Sequence, residues 1–414
     1  MKAKTDLLME GRRGQFFSII TILMVLPIVA FSITFGGAMG GYGADVGEQV
    51  RLKSSYHFYH SVEDDLVRAS QILGDRAILS SINQIVEEGE GLEDSSSAIR
   101  ELITNGTLDG DQKPLMGEHG MDGWTDRIED ISLKRGYEVD IEKDITGVST
   151  GSPWEVYVHT DYDLELVDSG GLFSLRKERA REMPIQLEGS EDPLIAAGTG
   201  GLVSMEIVAC DFEHLTESLA SGDGENSWTY GEIVVFENGS DIGDLDAAED
   251  KILVLKDEVD HAPLEEFSGA VLEKEPEEHY EIPYLVVDEI ESGVFENGTR
   301  AVLDGENDKI TEIENLYRMW ESSCYIPGNA PSFLQRLEND PDARSENGLN
   351  VFLRKGELEA GGVQTRDRSN LAHIYFSDED VENCRVKGMP ESFKIDKKST
   401  GGLGIPETLT FDCE

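Results

Sequence analysis

The order of apolar and polar positions predicts a long helix in the first part of the chain. Val62, Leu66, Ala69 and Leu73 are spaced by four, three and four residues, and charged side chains stand between them. Apolar residues at this spacing share one face of a helix. The pattern predicts an amphipathic stem helix from residue 46 to 86, followed by shorter helices near 95–103 and 124–133. One of Ser95, Ser96 and Ser97 is expected to cap the helix near 95–103. Short strands, including 373–376, are expected in residues 370–414.

A period of two replaces the helical period after residue 136. Tyr137, Val139 and Ile141 alternate with acidic residues, and similar alternation returns between residues 154 and 166. Alternation of this kind is typical of strands with one buried and one exposed face. A helix followed by an antiparallel sheet is therefore predicted for residues 45–215.

Five nearly continuous apolar runs follow, which suit strands that are buried on both faces. They are 233–236, 252–255, 270–272, 284–287 and 301–303. The order of these pieces, from Gly231 to Ile310, resembles the swivelling phosphohistidine domain of phosphoenolpyruvate-utilising enzymes. The resemblance implies a swivelling-type β/β/α domain. It does not imply the chemistry, because His279 lacks the Thr-Ser and Gly-Gly neighbours of the family and lies among acidic residues.

An uncharged stretch near the N-terminus predicts a membrane segment. Residues 16–35 hold 13 Ile, Leu, Val or Phe among 20 residues, and at about 1.5 Å per residue such a helix matches a hydrocarbon core of about 30 Å. Basic residues precede it and acidic residues follow it. This asymmetry predicts a cytoplasmic N-terminus and an extracellular C-terminal part, in a single-pass protein of the cell membrane.

Three processing routes compete for this segment. Ala38-Met39-Gly40 offers a secretory cleavage site, although the apolar block is long for that class. Arg12-Arg13 offers a twin-arginine signal. The third route rests on Arg13-Gly14-Gln15, which resembles the class III signal peptide of archaeal type IV pilin-like proteins. That resemblance implies cleavage between Gly14 and Gln15 by a prepilin-type peptidase, with the helix retained. Ile19 stands where many pilins carry Glu, which favours a minor pilin or simple anchor over a major filament subunit.

The predicted fold class is α+β: a transmembrane and stem helix, an antiparallel sheet domain, a swivelling-type domain and a small disulfide-linked C-terminal region. The predicted divisions are a leader, a transmembrane helix with a Gly-rich hinge, stem helices, a β-rich pilin-like domain, the swivelling-like domain, and a region of helices and strands. Their bounds are 1–14, 15–44, 45–104, 105–225, 226–310 and 311–414.

The charge of the chain excludes some partners. A formal net charge of −49, from 84 acidic and 35 basic residues, argues against nucleic acid as a partner. Acidity spread along the whole chain is typical of proteins that work in concentrated salt, so we expect a halophilic archaeon. An ordinary acidic surface protein is the alternative, and unfolding in low salt would separate the two.

Four cysteines, Cys210, Cys324, Cys384 and Cys413, are candidates for two disulfide bonds in an exported chain. Three connectivities exist, and the first choice joins Cys324 to Cys384 and Cys210 to Cys413. Sequons at Asn105, Asn238 and Asn297 are candidates for glycosylation.

Other motifs predict no chemistry. Gly147-Val148-Ser149-Thr150-Gly151 matches the GxSxG pattern of hydrolases, but the strand-like residues that follow favour a hairpin turn. His57 and His60 are interpreted as a surface pair, and the acidic loop 241–246 as a solvated loop. We predict no catalytic residues, no metal and no cofactor.

Two classes of function follow. The first is a non-catalytic cell-surface protein for adhesion or surface assembly, which contacts the membrane through residues 16–35 and like subunits or other surface proteins through its N-terminal helix. The alternative is a membrane-anchored extracellular enzyme or solute-binding receptor that uses a cleft between two domains.

Overall fold

A computed structural model describes most of the chain from residue 48 onward. The described ranges are 48–117, 120–171, 173–220, five strands within 233–304, and 309–414. The predicted leader, transmembrane segment and Gly-rich hinge, together with His279 and the loop 241–246, lie outside them.

The described residues form helices and strands in alternating groups. The helices are α1 (48–88), α2 (Ser95–Asn105), α3 (Gly120–Lys134), α4 (Pro193–Gly198), α5 (Glu314–Ser322), α6 (Phe333–Leu337), α7 (Lys355–Ala360), α8 (Ala372–Phe376) and α9 (Lys397–Gly402). The strands are β1 (Thr107–Leu108), β2 (Asp111–Gln112), β3 (Tyr137–Ser152), β4 (Glu155–Asp168), β5 (Ser174–Gln186), β6 (Glu217–Ala220), β7 (Ile233–Phe236), β8 (Ile252–Leu255), β9 (Ala270–Lys274), β10 (Pro283–Val287), β11 (Gly298–Asp304), β12 (Lys309–Glu312), β13 (Ile326–Ala330), β14 (Ser345–Asn350), β15 (Asn383–Val386), β16 (Lys394–Asp396) and β17 (Thr410–Phe411).

The fold is α+β, and most strand pairs are antiparallel, as the sequence predicts. The longest strands form a three-stranded sheet in the order β3-β4-β5. The five apolar runs are the strands β7 to β11. They belong to a seven-stranded sheet, β6-β12-β11-β10-β9-β8-β7, in which β7, β8 and β9 run parallel and the other neighbours are antiparallel.

The chain divides into two compact units, each made of separate segments. Of the residues that the structure describes, the first unit contains 48–68, Trp124–Lys143 and Tyr162–Arg179 except residue 172. Its core joins Tyr59, Val62 and Leu66 of α1 to alternate residues of β3 and β4, such as Ile141 and Leu164. The helical spacing of four and three residues on α1 therefore meets the strand spacing of two, as expected for a helix packed on one face of a sheet.

The second unit contains Ala69–Gly123, Asp144–Asp161 and Ala180–Glu414. Here α1 lies so close to the sheet that a Cβ atom on Gly74 would stand 2.2 Å from Ile185 Cδ1. A larger core surrounds Phe352 and Phe393, whose ring centroids are 5.1 Å apart. This core gathers residues between Val302 and Leu409, together with Leu215 from earlier in the chain.

Strands β6 and β12 are antiparallel neighbours although a long segment of the chain separates them. Ala220 pairs with Ile310, so the two ends of this segment lie side by side. A disulfide bond, Cys210–Cys324, lies just outside this pair.

The four cysteines form two disulfide bonds, but the expected pairing is wrong. Cys210 bonds Cys324, and Cys384 bonds Cys413. Backbone pairing explains the difference. Cys210 N–H donates to the carbonyl of Tyr325, next to Cys324, at 3.0 Å. Likewise Asn383, next to Cys384, exchanges two backbone hydrogen bonds with Glu414, next to Cys413.

Two local predictions also need correction. Residues 373–376 are expected as a strand but belong to helix α8; a four-residue apolar run fits either structure, so its sequence could not decide. The helix α2 is expected to be capped by one of Ser95, Ser96 and Ser97. Asp94 is the N-cap instead, and its carboxylate accepts from Ser97 N at 2.9 Å.

Among the residues that the structure describes, none of the helices combines the length and apolar character that a membrane crossing requires. The predicted membrane segment, 16–35, lies outside those residues.

Candidate functional site

A row of polar side chains crosses the three strands β3, β4 and β5 within the second unit. Val148, Val158 and Met183 are buried on one face of this sheet. Ser149, His159 and Glu182 each lie one residue away in sequence. Because successive side chains of a strand point to opposite faces, these three polar residues share the other, open face.

The GxSxG motif lies in the last part of β3 and not in the turn, so the prediction of a hairpin turn is wrong. The turn is formed by Pro153 and Trp154. Ile145 and Val148 are both buried although they are three residues apart, so the alternation of β3 shifts by one residue between them. Without this shift Ser149 would be on the same side as Ile145. The shift therefore places the Ser149 hydroxyl on the open face.

The three polar side chains form two contacts across the strands, with His159 in the middle. Ser149 Oγ lies 2.7 Å from His159 Nε2, and His159 Nδ1 lies 3.5 Å from Glu182 Oε1. The imidazole is the more enclosed group, since its side chain is 32% exposed against 68% for Glu182. Each ring nitrogen of His159 thus has its own partner: a hydroxyl on one side and a carboxylate on the other.

Gly151 allows the aromatic ring of Tyr157 to lie close to β3, near Ser149. A Cβ atom on Gly151 would stand 2.1 Å from the Tyr157 ring, so only a glycine lets this ring lie across β3. The Tyr157 hydroxyl donates to Glu155 Oε2 at 2.8 Å. That hydrogen bond raises the pKa of Tyr157, and the nearby charge of Glu182 contributes in the same direction.

The outer edge of β3 is covered by side chains from other elements. Ser96 Oγ donates to the carbonyl of Val148 at 3.2 Å, and Asn347 Nδ2 donates to the carbonyl of Thr150 at 3.3 Å. β3 is an edge strand of its sheet, and neither donor belongs to β4. These contacts therefore place the backbone polar groups of Thr150 at the outer edge, next in sequence to Ser149.

A second polar cluster lies in the first unit, where helix α1 meets β4 and β5. Glu63 is 6% exposed; it accepts a hydrogen bond from the Tyr162 hydroxyl at 3.0 Å and pairs with Arg179 at 3.3 Å. His60 Nδ1 lies 3.3 Å from the other oxygen of Glu63. Burial, followed by the charge of Glu63, raises the pKa of Tyr59 to about 12. These contacts fix α1 on the sheet.

His57 and His60 differ in environment. His57 is exposed, whereas His60 is half-buried against Glu63 and the ring of Tyr56. Within the described ranges, no group of three or more His, Cys, Asp or Glu side chains is arranged to hold a metal ion.

Asn105 is the glycosylation candidate that the structure describes. It is the last residue of α2 and is exposed. Thr107 of the same sequon donates to Glu101 Oε1 at 2.6 Å. Asn238 and Asn297, as well as the cleavage candidates Gly14 and Gln15, lie outside the described residues.

A sequence motif marks Ser149 of the polar row, but no motif marks the other two residues. Ser149 stands in a recognisable motif, whereas His159 and Glu182 carry no local signal. Each is ten or more residues distant along the chain and becomes a neighbour only through strand pairing. A model of the strand register from the turn at residue 153 would have brought His159 near the motif.

Comparisons with protein-family models, curated proteins and solved structures returned no match to this chain.

Proposed function

We propose that this protein is a cell-surface protein of a halophilic archaeon: a pilin-like anchor or minor pilin whose acidic ectodomain serves adhesion or surface assembly. The observation that carries the proposal is the leader, in which Arg13-Gly14-Gln15 precedes the apolar block 16–35. The two disulfide bonds support it, because structural disulfides persist in oxidising compartments outside the cytoplasm.

The proposed arrangement puts the charge and the sugar sites outside the cell. The membrane contact is the helix that contains 16–35, and partner subunits or other surface proteins contact the same helix where it emerges. Asn105 is at the exposed end of α2, which supports its use as a glycosylation site. We propose no cofactor.

We also propose that residues 226–310 form the swivelling-type domain, without phosphotransfer at His279. The positions of β7 to β11 support this part of the proposal, since they coincide with the five apolar runs on which the resemblance depends. The segments between these strands lie outside the described residues. A phosphotransfer activity that disappears in His279→Ala would contradict the absence of chemistry.

Analysis of the mature N-terminus tests the leader. Protein from the native membrane is expected to begin at Gln15, and Gly14→Val is expected to accumulate the uncleaved form. Lys4→Gln, also in the leader but outside the cleavage motif, is the control and is expected to be processed normally. A mature terminus near residue 41 would contradict pilin-type processing.

Electron microscopy of cells distinguishes assembly into filaments from simple anchoring in the membrane. Filaments that carry this protein and are lost in Gly14→Val support the minor-pilin form of the proposal. Uniform surface labelling by an antibody, with no filaments, supports the anchor form. Loss of surface labelling after osmotic removal of soluble exported proteins would contradict both forms.

A further inference from the structure

The contact of Ser149 with His159, and of His159 with Glu182, has the connectivity of a serine nucleophile with its base. Ser149 Oγ lies 2.7 Å from His159 Nε2, and Glu182 Oε1 lies 3.5 Å from His159 Nδ1. In serine hydrolases a histidine accepts the hydroxyl proton on one nitrogen and is oriented by an acid on the other. We propose that Ser149 is an activated nucleophile that hydrolyses carboxylic esters. This activity goes beyond surface assembly and does not depend on how the protein is anchored.

Geometry gives each residue one role. Ser149 Oγ forms a bond to the ester carbonyl carbon while its proton passes to His159 Nε2. Glu182 acts through His159, as a positioning residue, and its charge stabilises the imidazolium that this transfer creates. His159 then returns the proton to the departing alkoxide, so the alcohol leaves and the acyl group stays on Ser149.

Water completes the cycle. His159 takes a proton from a water molecule, whose oxygen bonds to the acyl carbon, and the proton goes back to Ser149 Oγ as the acid departs. The sum is ester plus water giving acid plus alcohol, with no oxidant or further reactant. Because the sheet face is open to solvent, this water needs no channel.

The donor for the developing oxyanion is the backbone N–H of Thr150. The Thr150 carbonyl accepts from Asn347 Nδ2 at the outer edge of β3, and the N–H and carbonyl of one residue in an antiparallel strand point to the same side. A single donor beside an open sheet face stabilises charge less than a set of donors in a closed site, so turnover is slow.

The surroundings select the charge of the substrate. Tyr157 offers an aromatic flank next to Ser149, and Glu155 and Glu182 place negative charge around it. An aromatic face and carboxylates attract a cation, whereas they repel an anion. The substrate class is therefore an ester whose alcohol part is uncharged or cationic.

A fluorophosphonate probe, which reacts with activated serine hydroxyls, tests the nucleophile in the full-length protein. Labelling is expected at Ser149, found by mass spectrometry of the tryptic peptide, and is expected to vanish in Ser149→Ala. Ser152→Ala is the matched control, because Ser152 lies on the same strand with its hydroxyl 3.5 Å from Glu155 and not on a histidine; its labelling is expected to equal that of the wild type.

His159→Gln separates a proton acceptor from a polar neighbour. The amide keeps a cross-strand hydrogen bond to Ser149 but takes up no proton, so labelling is expected to fall by at least about 100-fold. The circular dichroism spectrum and the denaturation midpoint of the variant are compared with those of the wild type to check that the variant is folded. Equal labelling rates for His159→Gln and the wild type would overturn the proposal.

Glu182→Gln tests the positioning role through rescue by a conservative variant. Without the carboxylate the imidazole loses the partner at Nδ1, so labelling is expected to slow in Glu182→Gln, and Glu182→Asp is expected to restore much of the wild-type rate. An equal labelling rate in Glu182→Gln and the wild type would exclude this role.

Hydrolysis of three nitrophenyl-type acetates, one neutral, one with a quaternary ammonium and one with a carboxylate, tests the substrate class. The cationic and neutral esters are expected to react faster than the anionic ester, and Ser149→Ala is expected to abolish all three enzyme-dependent rates. If Ser149 is labelled no faster than it is in the urea-unfolded protein, the contact is a cross-strand polar pair only and the proposal fails.

Discussion

Arg336 and Asp192 form an ion pair in which neither side chain is exposed to solvent. The guanidinium is also held by the carbonyls of Pro331 and Leu349. The Tyr325 hydroxyl donates to Asp192 Oδ2 at 2.9 Å. Burial, followed by the charge of Asp192, raises the pKa of Tyr325 well above its ordinary value, so this hydroxyl stays a donor. The pair joins helices α4 and α6.

Removal of the cation from this pair is expected to destabilise the protein strongly. Arg336→Met leaves the Asp192 carboxylate buried without a counter-charge, which costs about 3 to 5 kcal/mol of unfolding free energy. Arg318→Met is the control, because the Arg318 to Asp211 pair is on the surface and such pairs contribute about 1 kcal/mol or less. Urea denaturation measures both; similar losses in the two variants would contradict the role of burial.

The disulfide pairing predicts a specific peptide map. Digestion without reduction is expected to give one peptide pair with Cys210 and Cys324 and another with Cys384 and Cys413. The first bond closes a separation of 114 residues and the second 29, so chain entropy alone gives them about 5 and about 4 kcal/mol. Cys210→Ser with Cys324→Ser is therefore expected to lower the denaturation midpoint more than Cys384→Ser with Cys413→Ser. A peptide that links Cys324 to Cys384 would refute the pairing.

Gly348 allows the close approach of β13 and β14. A Cβ atom there would stand 1.9 Å from the backbone oxygen of Ala330, and strand backbone has no rotamer by which to move away. Gly348→Ala is expected to cost about 1 to 3 kcal/mol, as overpacking does. Gly356→Ala in α7 is the control, because nothing lies within 4 Å of its Cβ position, and alanine is the better helix former. A thermal melt that ranks Gly356→Ala below Gly348→Ala would contradict this account.

His373 is expected to make stability depend on pH. Burial, followed by the charges of Arg344 and Arg336, lowers its pKa from 6.5 to about 2. Below pH 6.5 the unfolded chain therefore binds a proton that the folded chain does not, and folding becomes less stable. From pH 7 to pH 5 this single group accounts for about 2 kcal/mol.

Urea titrations at the two pH values measure that difference. The change in unfolding free energy between pH 7 and pH 5 is expected to be about 2 kcal/mol smaller in His373→Gln than in the wild type. The same change is expected to stay as in the wild type in His214→Gln, the control, because His214 is exposed. An equal difference in wild type and His373→Gln would show that this histidine does not titrate on unfolding.

Salt is expected to stabilise the protein. The net charge of −49 repels itself, and the Debye length falls from about 10 Å at 0.1 M to about 3 Å at 1 M salt. The urea midpoint is therefore expected to rise between 0.1 M and 2 M potassium chloride. An equal rise in 2 M sucrose, which does not screen charge, would contradict an electrostatic cause, and no rise at all would favour the ordinary acidic surface protein.

Elements with a long periodic signal could be predicted from the sequence. Helix α1 was indicated by its apolar residues at helical spacing, and Val62, Leu66, Ala69 and Leu73 are buried. The five apolar runs gave the positions of β7 to β11 because three or four adjacent apolar residues leave little choice for their surroundings. Local pattern determines such elements, so neighbours distant in the chain were not needed to find them.

Relations between distant residues could not be predicted. The pairing of Cys210 with Cys324 depends on a backbone contact to Tyr325, and nothing near Cys210 in the sequence indicates that partner. The row from Ser149 to Glu182 depends on strand register and on the one-residue shift after Ile145, and alternation alone would have put Ser149 on the wrong face. Such features follow from packing across the chain.

The bond between Cys210 and Cys324 changes what a protease can do to this protein. Residues 211–323 lie between the two cysteines of this bond. A single cut anywhere between them leaves the two fragments linked, and Cys384–Cys413 is wholly on the C-terminal fragment. Release of the C-terminal fragment therefore requires a reductant as well as a protease.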